Sequence, residues 1–334
     1  MQGINEKVLL YAGSLGLVNK SGVGQAVRHQ KQALELANVP YTMNGKDDFS
    51  IIQLNTIFPD SLIKSKWAKR RGKKVVYYAH STMEDFRNSF RGSNLIAPLF
   101  KKWITYCYNS GDLIITPTDY SKQLLEGYGL NPPIISLSNG IDTEFYEPDS
   151  EARMRFRRTY NLQEDDKVVI SVGHYIERKG ILDFVKLAEQ LPDYQFYWFG
   201  YTNLNIVPHK IKEAIRKPLP NLHFPGYVGR EELRDAYCGS DLFLFLTHEE
   251  TEGIVLLEAL AAKIPVLVRD IPIYSNTFVD GKTVYKGKTS SDFEDKIYQM
   301  LEGRLPDLTE NGYQLALERD LKVVATRLLE IYEL

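Results

Sequence analysis

The chain has 334 residues, 43% hydrophobic and 25% charged, and a net charge of −2. That length is too great for one small core and suits two domains, and the composition is that of an ordinary globular protein. No run approaches the roughly 20 apolar residues of a membrane span, and the two cysteines, Cys107 and Cys238, supply neither a disulfide framework nor a zinc site, which suits a reducing cytoplasm.

Strand-like and helical patterns alternate from the start, which predicts an α/β fold of parallel units. The first apolar run, 7–11, comes so early that no signal peptide is expected before it. Ser21-Gly22-Val23-Gly24 then opens a helix over 24–37. Glycines there let a ligand approach the backbone, and a helix start suits phosphate. A complete G-x-G-x-x-G fingerprint is absent, which argues against a nicotinamide enzyme. Further strands are predicted over 50–54, 74–79, 113–117 and 134–137, and helices over 62–70, 95–110 and 121–128.

Residues 1–150 carry 17 Lys and Arg against 14 Asp and Glu, with seven cations between Lys64 and Lys74 around Trp67. That cluster suits anionic lipid or nucleic acid, and equally a solvated helix face. Tyr78-Ala79-His80-Ser81 ends a strand, so His80 is expected to point into a ligand crevice. The stretches from Phe86 to Arg91 and from Leu95 to Trp103 add the aromatic, apolar and cationic groups of an interfacial membrane contact. Leu95, Leu99 and Trp103, at helical spacing, suit a core as well. Thr118 is the expected N-cap of its helix, and 139–149 reads as the exit from this half.

The pattern restarts in residues 151–334, which carry 24 Lys and Arg against 29 Asp and Glu. Strands are predicted over 168–172, 195–199, 222–224, 242–246 and 266–268. Helices are predicted over 180–190, 208–216, 231–239, 254–262 and 290–301, with a last long helix from about 311 to the end. The loop Gly173-His174-Tyr-Ile-Glu177-Arg178-Lys179-Gly180 follows a strand and puts two adjacent cations at a helix start, where they can stabilise a departing diphosphate. Glu250-Thr-Glu-Gly253-Ile254-Val255-Leu-Leu-Glu258 places two carboxylates eight residues apart. Free N–H groups at Gly253, Ile254 and Val255 would open a helix and favour a diphosphate. Glu258, one turn in, can accept hydrogen bonds from a ribose, and Glu250 can reach sugar hydroxyls. Diphosphate, ribose and sugar together make a nucleotide sugar; an amphipathic helix with two solvated glutamates is the plain alternative. The six histidines are scattered and there is no Asp-x-Asp, so no metal site is expected.

The 250–258 segment resembles the E-x7-E signature of family 4 retaining glycosyltransferases, whose GT-B fold sets two Rossmann-like domains face to face. The usual Phe before the glycine is Glu252 here. Gly22 and Gly24 match that family's glycine loop, and His80 resembles its active-site histidine. Gly173 to Gly180 resembles its G-R-x-x-x-x-K-G diphosphate clamp. The arginine often found after the first glycine is His174 here, which moves the burden to Arg178 and Lys179. Tyr227 and Val228 fall on the turn that lines the family's base pocket.

The resemblance implies an N-terminal acceptor and membrane-side domain over 1–145, a UDP-sugar domain over 146–310, and a C-terminal helix over 311–334 crossing back to the first domain. It implies catalytic roles for His80, Arg178, Lys179 and Glu250, and donor contacts from Gly22, Gly24, Gly173, Tyr227, Val228, Gly253, Ile254, Val255 and Glu258. No essential metal is implied. The SGVGQAVRHQ start and the IERKG loop further resemble bacterial enzymes that glycosylate membrane glycolipids, nearest the Gram-positive diglycosyl-diacylglycerol synthases. These transfer a hexose from UDP-glucose or UDP-galactose to monoglucosyldiacylglycerol at the inner face of the membrane. The implied partners are a nucleotide sugar, a glycolipid and an anionic membrane, without nucleic acid. Alternatives are a family 4 enzyme with a soluble or polysaccharide acceptor, a UDP-sugar epimerase, and a non-enzymatic RNA- or membrane-binding protein.

Overall fold

Short apolar strands separated by helices pair in parallel, because the intervening helix supplies the crossover that parallel pairing requires. The computed structural model describes residues 6–13, 21–89 and 92–333. Phe90 and Arg91, part of the expected membrane-side stretch, lie outside the described residues. The first sheet holds β1 (Val8–Tyr11), β2 (Tyr41–Thr42), β3 (Ile51–Leu54), β4 (Lys74–Tyr78), β5 (Leu113–Thr116) and β6 (Ile134–Ser136), in the order β2-β1-β3-β4-β5-β6. Its helices are α1 (Gly22–Leu36), α2 (Pro59–Lys69), α3 (Met83–Phe86), α4 (Ser93–Tyr108) and α5 (Asp119–Glu126).

The second sheet holds β7 (Val168–Val172), β8 (Gln195–Phe199), β9 (Leu222–Gly226), β10 (Leu242–Phe245), β11 (Val266–Arg269) and β12 (Tyr285–Gly287), in the order β12-β11-β10-β7-β8-β9. With it go α6 (Ser150–Thr159), α7 (Ile181–Gln190), α8 (His209–Ile215), α9 (Arg230–Gly239), α10 (Ile254–Ala261) and α11 (Ser290–Leu301). The strands of both sheets pair in parallel.

Successive strand residues point to opposite faces, and helices cover both, so each strand reads as a continuous apolar run. In the first sheet Leu9, Ile52, Val75 and Ile114 join one buried cluster, and Val8, Ile51, Val76 and Ile115 join the other. Val324, Ala325, Leu328 and Tyr332, from the end of the chain, complete the second of these clusters.

Those last residues correct one expectation. The single long C-terminal helix is two helices, α12 (Thr309–Leu317) on α10 and α13 (Leu321–Tyr332) on α1. The chain breaks between them because Asp320 leaves the helix to cap α13, accepting a bond from Lys322 N–H at 2.8 Å. The freed backbone pairs with the other crossing between the halves. Ile141 N–H donates to Arg319 C=O, and Leu321 N–H to Ile141 C=O, each at 3.0 Å. The reading from sequence also lacked β2, β12, α3 and α6. Thr118 caps α5 as expected, within a reciprocal capping box with Ser121.

Candidate active site

Ligands of open parallel sheets bind beyond the carboxyl ends of the strands. Here loops leaving β4, β7, β8 and β10 meet between the two sheets and line a cavity of about 340 Å³, within the range of about 300–1,000 Å³ usual for small-molecule sites. Gly22 and Val23, at the start of α1, form part of the opposite wall. Gly24 is buried in the first turn of α1 and does not belong to the lining.

The centre of the cleft is an ion cluster drawn from both halves. Lys179 Nζ and Arg178 Nη1 both bond Glu250 Oε1, the latter at 3.2 Å. Arg178 Nη1 also meets Asp85 Oδ1 at 2.8 Å and the Glu249 carbonyl at 2.6 Å, and its Nε donates to Ser89 Oγ at 3.1 Å. Burial would raise the Glu250 carboxyl, but the Lys179 and Arg178 cations outweigh it and hold it below the usual range. Asp85 is pushed up by burial despite Arg178. Arg178 is thus buried and tied to the first half, whereas Lys179 bonds Glu250 within the second. The chain fixes this pair through Gly180, whose φ of +79° only glycine adopts freely; a methyl group there would meet Leu246 C=O at 2.3 Å.

Gly253 is the N-cap of α10 with φ +87°, and no side chain among the described residues caps this helix start. Gly253, Ile254 and Val255 line the cleft together with Glu250 and Glu258. Both glutamates are buried, Glu258 at 3% exposure, so the solvated-helix alternative is excluded. Glu258 Oε2 accepts from Tyr237 Oη at 2.9 Å. Burial pushes its carboxyl up to about 7, opposed by hydrogen bonds from Tyr146 and Tyr237 and by Arg230 and Arg28. A carboxylate offers about four lone-pair sites, so acceptor capacity remains for a ligand's hydroxyls.

His80 stands just past β4, its Nε2 3.0 Å from Asn55 Oδ1, and burial lowers it to about 4. It is therefore neutral at ordinary pH, with Nε2–H donating to Asn55 and Nδ1 left as an acceptor. Gly173 follows β7 and lines the cleft beside His174. His174 Nδ1 lies 2.9 Å from the Tyr201 carbonyl, and burial lowers its pKa, so it adds no cation at the position where the family pattern has arginine. Tyr227 and Val228 lie on the rim, Tyr227 half exposed. Glu252, in place of the usual Phe, also lines the cleft and binds the first half, accepting from Ser138 Oγ at 2.5 Å, Asn139 N–H at 3.1 Å and Asn139 Nδ2 at 2.7 Å. No group of three or more His, Cys, Asp or Glu among the described residues is placed to hold a metal ion.

Sequence reasoning missed Asp85, Arg28, Tyr146 and Arg230, all of which line the cleft. Asp85 and Arg230 carry no motif, since their partners Arg178 and Asp142 are remote in sequence. Arg28 sits one turn beyond the glycine loop, and that spacing was a legible signal.

Comparison with known proteins agrees with this architecture. The model described as "Glycosyl transferases group 1" matches residues 152–315, and that described as "Glycosyltransferase Family 4" matches 29–145. A processive diacylglycerol alpha-glucosyltransferase of Acholeplasma laidlawii is 38% identical, over 98% of each chain. An alpha-galactosylglucosyldiacylglycerol synthase of Streptococcus pneumoniae is 25% identical, over 93% of this chain and 85% of its own. Among solved structures, Anabaena HepE in complex with UDP superposes with a TM-score of 0.77 at 15% identity, over 98% of this chain and 99% of its own. Two Rossmann-like halves around one cleft, matched along nearly the whole chain, make this protein a member of the family 4 glycosyltransferases of GT-B fold, a hexosyltransferase.

Proposed function

We propose that the enzyme moves a hexose from UDP-glucose or UDP-galactose to monoglucosyldiacylglycerol with retention, giving dihexosyldiacylglycerol. The observation that carries this reading is the meeting in one cleft of Lys179, the uncapped start of α10 and Glu258. Cation, backbone donors and carboxylate there match a diphosphate followed by a ribose. The lipid acceptor is supported by the two bacterial relatives, both named for diacylglycerol glycolipids.

The acceptor hydroxyl attacks the anomeric carbon on the face that UDP leaves, through an oxocarbenium-like transition state. The anomeric C–O bond to the β-phosphate breaks, the new glycosidic bond forms, and the released phosphate oxygen takes the acceptor proton. Lys179 and the N–H groups at Gly253 to Val255 stabilise the charge that builds on the diphosphate, and Arg178 holds Glu250 beside them. Gly22 and Gly173 allow close approach of the phosphates, Glu250 and neutral His80 position the sugar, Glu258 takes the ribose, and Tyr227 and Val228 border the base. No dedicated carboxylate base is required. In this assignment 1–145 is the acceptor side, 146–310 the donor side, and the residues beyond 310 cross back.

A lipid acceptor requires the enzyme to reach the bilayer surface. No helix among the described residues is long and apolar enough to cross a membrane. The face of α4 supplies an interfacial alternative: Leu95 is 85% exposed and Leu99 66%, with Tyr106 and Ile63 of α2 alongside. Trp103 takes the inward side, donating from Nε1 to Ile57 C=O at 2.8 Å. Lys66 lies 4.6 Å from the Tyr106 ring centre, and Lys64 and Arg71 each 4.1 Å from that of Trp67. Apolar tips ringed by cations suit peripheral attachment to anionic lipid. Replacing Leu95 and Leu99 together with Ser is expected to weaken binding to anionic vesicles about tenfold or more, with UDP affinity unchanged. Unaltered vesicle binding in sedimentation would exclude α4 as the contact.

Mass-resolved lipid product tests the whole reading. Purified enzyme, monoglucosyldiacylglycerol vesicles and either UDP-sugar are expected to yield one added hexose. No product with either donor, from protein that binds UDP, would discard the lipid acceptor.

A further inference from the structure

Four cations line the cleft among the described residues, and three of them are neutralised there. Arg178 and Lys179 face Glu250 and Asp85, and Arg230 meets Asp142 at 2.9 Å. The fourth, Arg28 of α1, forms no ion pair among the described residues. Its guanidinium is held by the neutral amide of Gln25, whose Oε1 accepts from Nε at 3.1 Å and also from Nη2. A doubly negative diphosphate entering this cleft meets a cluster whose charges already cancel, so an uncompensated cation is needed to replace the lost hydration of the phosphates.

We propose that Arg28 is a ligand of the donor diphosphate, supplied from the opposite half in place of the arginine that is missing at His174. Three observations converge on it. His174 is held neutral, with Nδ1 turned to the Tyr201 carbonyl. Long side chains on a helix lean toward its N-terminus, which directs Arg28 back toward the Gly22 and Val23 wall of the cavity. The charge of Arg28 also acts on Glu258, which sits at the proposed ribose end. The inference rests on the nucleotide-sugar reading above, and it makes phosphate neutralisation depend on both halves at once.

Titration calorimetry on the full-length protein, with UDP and with uridine as probes, tests it. Arg28→Gln is expected to weaken UDP binding about tenfold or more while leaving uridine affinity unchanged, and Arg28→Lys to fall between, keeping charge but losing the planar fork. The variant should also show a shallower decline of UDP affinity with salt. UDP affinity within about twofold of wild type, or an equal loss for uridine, would overturn the assignment. A wild-type protein that binds no UDP overturns the donor reading itself and this inference with it, an outcome distinguishable because no variant is needed to see it.

Discussion

Lys179→Ala is expected to lower kcat by about 10²–10³, or about 3–4 kcal/mol of transition-state stabilisation, the scale of removing one group aimed at developing charge in a closed site. Lys179 Nζ now bonds Glu250 Oε1, while Arg178 is held by Asp85, Ser89 and the Glu249 carbonyl. In the proposed mechanism Lys179 changes partners when diphosphate arrives, which releases Glu250 to the sugar. In that mechanism its loss removes the charge opposite the leaving group and leaves Arg178 as the cation on Glu250. Steady-state kinetics would show a fall in kcat larger than any rise in donor KM. Near-normal turnover in correctly folded Lys179→Ala would sink the clamp assignment, and retained turnover in Lys179→Arg alone would show that charge suffices.

Glu258→Gln should lower kcat/KM for the donor by about 10- to 100-fold, since a carboxylate accepts ribose hydroxyl bonds more strongly than an amide. Its wild-type counterpart carries a pH signature. Burial pushes Glu258 up to about 7 from an ordinary 4.5. Below about pH 7 it gains a proton and loses acceptor strength, so donor KM should rise as pH falls, and Glu258→Gln should flatten that profile. Stability runs the other way. A carboxyl raised in the folded state contributes stability fully present below its unfolded pKa, and that contribution is lost as pH rises through the folded pKa. Above about pH 7 the wild-type protein therefore holds a buried anion at a cost of order 3 kcal/mol. Glu258→Gln, neutral throughout, should melt higher than wild type at alkaline pH. Glu249 is also pushed up to about 7, but it bonds Tyr120 outside the cleft, so the Gln variant isolates Glu258. A variant that melts lower at alkaline pH and binds UDP normally would remove Glu258 from the site.

Which parts of the molecule were legible in the sequence follows from where the information lies. β-strands such as Val168–Val172 are buried on both faces and read directly as apolar runs. The helix start at Gly253 showed through the glycine and the apolar run behind it. The break before α13 has no Gly or Pro, only Asp320, and became a break through its pairing with Ile141. Helix α6 went unread because Ala152 and Phe156 are its only buried apolar residues among many charges, although Asp149 was in place as its cap. Lys179, Glu250 and Glu258, singled out by local motifs, all line the cleft. Asp85 was not singled out, because its meaning depends on Arg178, far along the chain and in the other half. Leu95 and Leu99 had the spacing of a core helix, and the fold alone decides that they are exposed.

The chain passes between the halves twice, near Ile141 and near Asp320, and the two passages are bonded side by side. Thr143 Oγ1 adds a further bond to Asp320 Oδ2 at 2.5 Å. Two bodies whose covalent links are one pair of cross-bonded cords can fold toward each other about that line once side-chain bonds across the cleft, such as Arg178 to Asp85, let go, but they resist sliding or unscrewing. Opening and closing should therefore follow a single mechanical track, so that Gly22 and Val23 on one jaw return to the same register against Gly253 on the other after every product is released.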